Sequence, residues 1–310
     1  MGRRRKRGAM FGTSPHDTPR NLEVIDRAVN EWGMNLLRWQ IGYFPEGVLN
    51  KPAYLDHVKG HVQEIKAASN HIKEKGYDIK LCIDLHHVPG GEVFALNRFM
   101  SQHAVFKVGE WQDLFLTVWQ IIATEFKNDS TIWAYDVINE PKAGKSKLNK
   151  LYTKVIGLIR GIDSKARIVL EPPLGDPLRI NQIDYIKDDV RIVYSPHMYF
   201  PMSRSHQGVF SNFPFDQDYP DPEFKKAELE HNLRRVISYQ QNNNAKIFIG
   251  EFGFVADSPQ GSQANWVEDC IEIFEANNWH WCHHAMKDAW EWPGWNPRAD
   301  TELVLKRAYS

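Results

Sequence analysis

Short apolar runs alternate with longer amphipathic stretches along the whole chain, and this alternation constrains the fold more than any other feature. An apolar run bounded by polar residues is typical of a strand, and apolar residues recurring every three or four positions are typical of a helix. Residues 19–32 show the helical pattern, with Leu22, Ile25, Val29 and Trp32 on one face. Eight strands are predicted, at residues 8–12, 35–41, 79–86, 133–139, 167–171, 191–197, 247–251 and 280–285.

Strands that alternate with helices predict a parallel sheet with right-handed crossovers. Eight such units in 310 residues predict a closed (β/α)8 TIM barrel, because barrels of this length commonly form a single domain. The alternative is an open doubly wound sheet, but the sequence lacks the glycine-rich phosphate-binding turns of those folds. We assign residues 8–310 to the barrel and residues 1–7 to a basic tail, which we expect to be disordered.

Charge and composition narrow the classes of partner. Lysine and arginine total 38 and aspartate and glutamate total 39, so the chain lacks the basic character of a nucleic-acid-binding domain. No run reaches the 18 or more apolar residues that a membrane-spanning helix needs. The three cysteines are too few for a disulfide framework or a zinc ribbon. We expect a monomer with no nucleic-acid or membrane partner, either intracellular or secreted with its export signal absent from this chain.

Polar and ionisable residues follow the predicted strands at the points where these strands end. The carboxyl ends of barrel strands meet at one rim, where barrel enzymes carry their active sites. Ionisable groups beside apolar runs are costly to bury unless they are paired, so their convergence predicts a functional site. These rim residues are Arg38, Asp84, His86, Asn139, Glu140, His197, Tyr199 and Glu251.

Two glutamates, Glu140 and Glu251, follow strands four and seven. These strands face each other across a barrel mouth, so the two carboxylates can approach to about 5 Å, the spacing of a retaining glycosidase. Arg38 can hold a carboxylate ionised by Coulomb attraction, and Asn139 offers a donor and an acceptor to a sugar hydroxyl. A rim salt bridge is the alternative for either glutamate alone, whereas their occurrence together favours catalysis.

Five segments occur in the order and at the strand spacing of a known family. They are Leu36-Leu37-Arg38-Trp39, Asp84-Leu85-His86, Asn139-Glu140-Pro141, His197-Met198-Tyr199 and Gly250-Glu251-Phe252-Gly253. Together they resemble glycoside hydrolase family 5, in the clan of retaining (β/α)8 glycosidases, over roughly residues 8–300. The resemblance implies cellulase-like hydrolysis of a β-linked glucan without a cofactor. Action on β-mannan, and exo action on β-glucosides or β-1,3-glucans, are the alternatives within the family.

The resemblance also implies roles for the rim residues. Glu251 would be the nucleophile, and Glu140 would donate a proton to the leaving group and later deprotonate water. The supporting residues that it implies are Arg38 and Tyr199 beside the nucleophile, His86 and His197 around the acid, and Asn139 at the sugar 2-hydroxyl.

The end of strand eight departs from the family pattern. The family usually places a sugar-stacking tryptophan there, whereas His284 falls near that position in this chain. Trp290, Trp292 and Trp295 follow in the next loop, and an aromatic face from any of them can stack on a sugar. We predict that Trp290 and Trp292 bind the substrate.

Two other functions stay open for a barrel with this rim. A metal-dependent hydrolase would use rim histidines, but neighbours such as His86-His87 and His283-His284 point to opposite faces of a strand and cannot share one ion. We therefore expect no metal. A barrel that only binds carbohydrate would keep its aromatic residues and lose one of the two glutamates, and both are present.

Overall fold

The computed structural model describes residues 5–13, 15–42, 49–94, 101–107, 109–209, 213–289 and 293–310. Within these ranges, none of the helices combines the length and the apolar character needed to cross a membrane. The structure is built around one sheet of parallel strands.

The part of the chain that the structure describes contains eight strands in this sheet, and each overlaps a predicted one. They are β1 (Arg7–Phe11), β2 (Leu36–Gln40), β3 (Lys80–Asp84), β4 (Ile132–Asp136), β5 (Ile168–Leu170), β6 (Ile192–Tyr194), β7 (Phe248–Phe252) and β8 (His280–His283). The observed strands are shorter than the predicted ones at most ends, because backbone pairing stops before the apolar pattern does.

The sheet closes on itself. Its strands are paired in the order β6-β5-β4-β3-β2-β1-β8-β7, and every pairing is parallel. Two isolated parallel bridges, Tyr194 to Ile247 and Met198 to Phe252, join β6 to β7 and complete the ring. The predicted (β/α)8 barrel is therefore confirmed.

Helices connect most of the strands and pack outside the barrel. They are α1 (Thr18–Asn30), α2 (Lys51–Lys75), α3 (Gly109–Glu125), α4 (Lys145–Ile162), α5 (Met202–Ser205), α6 (Lys226–Asn243), α7 (Ser262–Ala276) and α8 (Ala299–Tyr309). After β5 the chain forms two short 3-10 helices, Pro173–Gly175 and Pro177–Gln182, in agreement with the weak helical pattern there. A hairpin of Glu92–Phe94 and Ser101–His103 lies in the long connection after β3 and was not predicted.

Local sequence sets where the helices begin and end. Asp17 caps α1 by accepting a hydrogen bond from the Arg20 backbone N–H. Asn50 caps α2 in the same way, and Gly76 ends this helix in a left-handed conformation that glycine adopts without a steric penalty. These caps fix the connections that leave the rim after β1 and β2.

The barrel interior is a layer of apolar side chains, and the two-residue period of a strand carries the chain from this layer to the rim. The layer consists of Met10, Leu36, Cys82, Trp133, Ala134, Val169, Val193, Phe248 and Cys282. Each of four charged residues follows an apolar residue of this layer by two positions. They are Arg38, Asp84, Asp136 and Glu171, which follow Leu36, Cys82, Ala134 and Val169, respectively. Because alternate residues share a face, these four charged side chains all point into the barrel above the apolar layer.

The first strand begins at Arg7, one residue earlier than the predicted start. Arg7 donates to both carboxylate oxygens of Glu275 at 2.9 and 2.8 Å, and Arg5 Nη1 lies 2.7 Å from Glu275 Oε2. Residues 5–7, which we assigned to the basic tail, therefore pack on the barrel. Residues 1–4 lie outside the described ranges.

Replacing Gly8 should destabilise the barrel, because its Cα lies against the neighbouring strand. A Cβ at this position would lie 1.9 Å from the Leu36 carbonyl oxygen. We expect Gly8→Ala to lower the free energy of unfolding by about 1–3 kcal/mol, measured by urea denaturation. Gly157→Ala is the control, because a Cβ on this face of α4 meets nothing within 4 Å and should leave stability equal or higher. Equal stability of Gly8→Ala and wild type would contradict the packing described.

Candidate active site

Arg38, near the end of β2, is fully buried and surrounded by four carboxylates. Its Nη1 donates to Glu251 Oε1 at 2.6 Å, and its Nη2 donates to Glu171 Oε1 at 2.8 Å. Its Nε donates to Asp136 Oδ2 at 3.0 Å, and Asp84 Oδ1 lies 3.2 Å from Nη2. Four buried anions around one cation would leave a large uncompensated charge, so protons or a second cation must balance this cluster.

His197, three residues beyond β6, supplies that second cation. Its Nδ1 lies 2.9 Å from Glu140 Oε1 and its Nε2 lies 3.1 Å from Glu171 Oε1. Burial alone would lower the pKa of His197, but the carboxylates of Glu171, Glu251 and Glu140 raise it well above its usual value. His197 therefore belongs to the site as a positively charged or proton-sharing group.

Asp136 is a second group that affects the charge balance of this cluster. Burial raises the pKa of Asp136 well above its usual value and outweighs the opposing attraction of Arg38, while the nearby carboxylates of Glu171 and Asp84 raise it further. Because this shift favours the neutral form of Asp136, it reduces the negative charge that Arg38 and His197 have to balance.

Glu251, on β7, has the environment of an ionised carboxylate. Only 7% of its side chain is exposed. Its Oε1 accepts from Arg38, and its Oε2 accepts from the Tyr199 hydroxyl at 2.9 Å. Burial alone would raise the pKa of Glu251, but His197 and Arg38 hold it well below its usual range. A carboxylate that is kept ionised and held by two hydrogen-bond donors is suited to nucleophilic attack.

Glu140 follows β4 and has a different environment. Its side chain is 39% exposed, and its backbone has a φ of +40°, in the left-handed region that non-glycine residues adopt at a cost of about 1–2 kcal/mol. The backbone N–H of Glu140 donates to Glu171 Oε2 at 2.8 Å, which holds this conformation. Carboxylate oxygens of Glu140 and Glu251 and a ring nitrogen of His197 all lie within 4.8 Å of one another. The two glutamates thus meet at short range.

Two glycines make room for the His197 ring between these carboxylates. A Cβ on Gly175, whose φ is +64°, would lie 2.8 Å from His197 Nδ1. A Cβ on Gly250 would lie 2.6 Å from the Ser195 hydroxyl and 3.2 Å from His197 Nε2. Contacts below 3.0 Å are not tolerated by carbon atoms, so a side chain at either position would displace the ring or its neighbours.

Two further supporting residues, Asn139 and His86, have different hydrogen-bond partners. Asn139 Oδ1 accepts from Arg38 Nη2 at 3.0 Å, which orients the Asn139 amide group towards the same cluster. His86 Nδ1 lies 2.8 Å from Asp84 Oδ2 and 3.1 Å from the Gln40 amide nitrogen. The structure therefore places His197 against Glu140, and it places His86 against Asp84 and Gln40.

At the end of β8, His284 occupies the position where the tryptophan platform was expected. Its Nδ1 lies 2.8 Å from the Tyr199 hydroxyl. Its ring stacks on Trp295, with centroids 4.8 Å apart, and Trp295 is only 4% exposed. Trp295 is therefore packed against His284. Trp290 and Trp292 lie outside the described residues, so their predicted contact with substrate stays a prediction.

Two site residues were missed by the sequence interpretation, Asp136 and Glu171. Both are fully buried and both bind Arg38. The signal that could have identified them is the two-residue period, because each stands two positions after an inward-facing apolar residue of its strand. Asp84 was recognised at the rim, but its contacts with Arg38 and His86 were not predicted.

The site does not have the character of a metal centre. Glu140, His197 and Glu251 bring donor atoms within 4.8 Å of one another, but both ring nitrogens of His197 already contact carboxylates. Arg38 and His197 also place positive charge beside Glu251, which opposes binding of a further cation. The donor set instead fits a proton-transfer network.

A comparison with known families identifies this arrangement. The sequence model described as cellulase (glycosyl hydrolase family 5) matches residues 3–289. The chain belongs to this family. It is 25% identical to Endoglucanase C of Acetivibrio thermocellus over 231 residues, which are 65% of this chain and 66% of that protein. It is 26% identical to Cellodextrinase A of Ruminococcus flavefaciens over 236 residues, 74% of this chain and 68% of that protein.

The chain therefore spans just under two thirds of the length of the endoglucanase that it matches. Solved structures show the same fold. The cellulose synthase subunit Z of Clostridioides difficile matches with a TM-score of 0.75 at 20% identity, over 97% of this chain and 99% of that one. The endoglucanase Cel5A of Thermotoga maritima matches with a TM-score of 0.75 at 19% identity, over 97% and 96%. The predicted resemblance to family 5 is confirmed.

The charge on Glu251 should make this family 5 protein sensitive to acid in a measurable way. The pKa of Glu251 is depressed on folding, so below about pH 4.5 the unfolded chain takes up a proton that the folded state does not. This contribution to stability is present above that pH and is lost as the pH falls. We expect the unfolding free energy of wild type to fall with decreasing pH more steeply than that of Glu251→Gln, by up to about 1.4 kcal/mol per pH unit.

The measurement is urea unfolding at a series of acidic pH values. Glu268→Gln is the control, because this glutamate is an exposed residue of α7 paired with Arg307, and it should keep the wild-type slope. Identical slopes for wild type and Glu251→Gln would show that Glu251 does not carry the depressed pKa.

Proposed function

We propose that this chain hydrolyses a β-linked glucan by double displacement with retention of anomeric configuration. The observation that carries the proposal is the short distance between carboxylate oxygens of Glu140 and Glu251, within 4.8 Å. Retaining glycosidases need their two carboxyl groups about 5–5.5 Å apart, whereas inverting enzymes leave about 6.5–9.5 Å for a water molecule. The two glutamates lie in different environments, which suit Glu251 to be the nucleophile and Glu140 to be the proton donor.

In the first step, Glu251 attacks the anomeric carbon. The glycosidic C–O bond breaks as Glu140 gives its proton to the leaving oxygen, and an ester bond forms between the sugar and Glu251. Arg38 and the Tyr199 hydroxyl bind the two oxygens of Glu251, so the attacking carboxylate is held in one orientation. The half-exposed position of Glu140 gives it access to the leaving group.

In the second step, Glu140 accepts a proton from water while the water oxygen attacks the anomeric carbon and releases Glu251. The Asn139 amide nitrogen is proposed to donate to the sugar 2-hydroxyl, because Arg38 already occupies its Oδ1. Arg38 thus connects the residue that binds the sugar with the residue that attacks it.

The proposed substrate class is a cellulose-type β-glucan. Two relatives of this chain are named an endoglucanase and a cellodextrinase, which supports β-glucan over other family substrates. The test is product analysis by mass and by proton NMR on cello-, manno- and β-1,3-gluco-oligosaccharides. We expect cleavage of the cello-oligosaccharides with the β-anomer formed first. Initial release of the α-anomer would exclude double displacement, and preferential cleavage of mannan would exclude the substrate class.

The two glutamates should differ when they are replaced. We expect Glu251→Ala to lower kcat on an aryl β-cellobioside by about 10⁴-fold or more. Glu140→Ala should lose about 10²–10⁴-fold on oligosaccharides and less on aryl glycosides, because a good leaving group needs little protonation. Glu268→Ala, on the outer face of α7, is the control. Wild-type activity in Glu251→Ala would refute its assignment as nucleophile.

Removing the Tyr199 hydroxyl should weaken catalysis with little effect on substrate binding. This hydroxyl donates to Glu251, and a hydrogen bond to a charged group contributes about 1.5–3 kcal/mol. We expect Tyr199→Phe to lower kcat by about 10–100-fold and to leave KM within about a factor of three. Tyr185→Phe, in the connection before β6, should behave as wild type. A change confined to KM would mean that Tyr199 binds the sugar and does not support the nucleophile.

A further inference from the structure

Glu171, directly after β5, makes three contacts that link the two sides of the site. Its Oε1 accepts from Arg38 Nη2 at 2.8 Å and lies 3.1 Å from His197 Nε2. Its Oε2 accepts from the backbone N–H of Glu140 at 2.8 Å. The side chain is fully buried, so water does not compete for these contacts. Glu171 thus touches the histidine and the backbone of the proposed acid.

The hydrogen bonds of His197 require a proton count. Each ring nitrogen faces a carboxylate oxygen, Nε2 towards Glu171 and Nδ1 towards Glu140. A neutral imidazole has one N–H, so with both carboxylates ionised one contact would pair two acceptors. A proton must therefore lie in the Nδ1–Oε1 contact, carried by His197 or by Glu140. Both arrangements hold the same number of protons.

We propose that Glu171 is a positioning residue that binds the Nε2–H of His197 and thereby keeps a proton in the contact between His197 Nδ1 and Glu140. This inference rests on the proposed function, in which Glu140 must have a proton to donate. The negative charge of Glu171 stabilises the protonated His197–Glu140 pair, and its hydrogen bond to Nε2 fixes which nitrogen faces Glu140.

Charged groups reach His197 from several strands, and Glu171 differs from the others. The carboxylates are Asp136 of β4, Glu140 after β4, Glu171 after β5 and Glu251 of β7, and Arg38 of β2 shares the Glu171 Oε1 atom with His197. Glu251 lies 3.7 Å from Nδ1, but its charge disappears when the sugar ester forms. Burial raises the pKa of Asp136 well above its usual value, which weakens its negative charge. Glu171 keeps its position and takes no part in bond making, so its charge acts in both steps.

The same carboxylate also aims Glu140. Its Oε2 holds the Glu140 N–H in a residue with a φ of +40°. Strained backbone persists where surrounding contacts over-determine it. Glu171 therefore fixes the direction of the Glu140 side chain through the backbone and its proton through His197.

The test compares Glu171→Gln, which keeps the shape and removes the charge, with Glu171→Asp, which keeps the charge and shortens the side chain. The pH at which the His197–Glu140 pair loses its proton is followed by the ring 15N shifts of His197, assigned with His197→Asn, and by the alkaline limb of kcat/KM. We expect Glu171→Gln to move both to lower pH by about one unit or more, a tenfold loss of proton affinity.

The expected results for the other variants separate charge from shape. Glu171→Asp should keep the titration within about half a unit of wild type while kcat falls, because the shorter chain loses the Glu140 N–H. Glu64 is another buried glutamate, which lies on α2 and contacts Thr18 and Asn21 of α1. Glu64→Gln should leave the titration of the His197–Glu140 pair and the activity unchanged. Equal shifts in Glu171→Gln and Glu171→Asp, or no shift in either, would overturn the proposal.

Wild type alone also decides the question if Glu171→Gln fails to fold. A wild-type His197–Glu140 pair that has lost its proton below neutral pH would overturn the role of Glu171. Failure of the proposed function would be recognised separately. A protein that hydrolyses no glycoside would refute the proposed function, and the NMR titration of His197 would still test the role of Glu171.

Discussion

The buried guanidinium of Arg38 is the interaction on which both the barrel mouth and its chemistry depend. It contacts carboxylates contributed by β3, β4, β7 and the residue after β5, and so connects β2 to four other parts of the ring. Removing one partner of a buried charge pair typically costs about 3–5 kcal/mol, because the remaining charge stays uncompensated. The same contacts that hold these strand ends together also set which carboxylate is ionised, so stability and reactivity share one residue.

Glu140 and Glu251 are both glutamates, and the opposite roles proposed for them follow from their different surroundings. Glu251 is nearly fully buried and receives donors from Arg38 and Tyr199, and these donors together with His197 outweigh the cost of burying its charge. Glu140 is partly open to solvent, strained in its backbone and adjacent to His197. These surroundings suit Glu251 for the proposed attack and Glu140 for the proposed exchange of a proton. The chemistry follows from burial and hydrogen bonding and needs no difference in side-chain type.

The sequence predicted the barrel, the eight strands and eight of the residues now seen at the mouth, because strand periodicity and rim position are local patterns. It did not predict that Asp136 and Glu171 join the site. Their two-residue spacing from Ala134 and Val169 marks them as inward-facing, but their contacts with Arg38 join residues about 100 or more positions apart and cannot be read from a local pattern. The pairing of His284 with Tyr199 was missed for the same reason. The hairpin after β3 was missed because it lies in a connection without a clear alternating pattern.

The space left by Gly175 and Gly250 has an implication for how this site can change. A Cβ on Gly175 or Gly250 would lie 2.8 or 3.2 Å from a ring nitrogen of His197, so a side chain there would push the imidazole away from its partners. In the observed orientation, Nε2 faces the buried Glu171 and Nδ1 faces the half-exposed Glu140, so the ring joins an enclosed carboxylate to an accessible one. Two positions without a functional group of their own therefore limit which substitutions this site can accept.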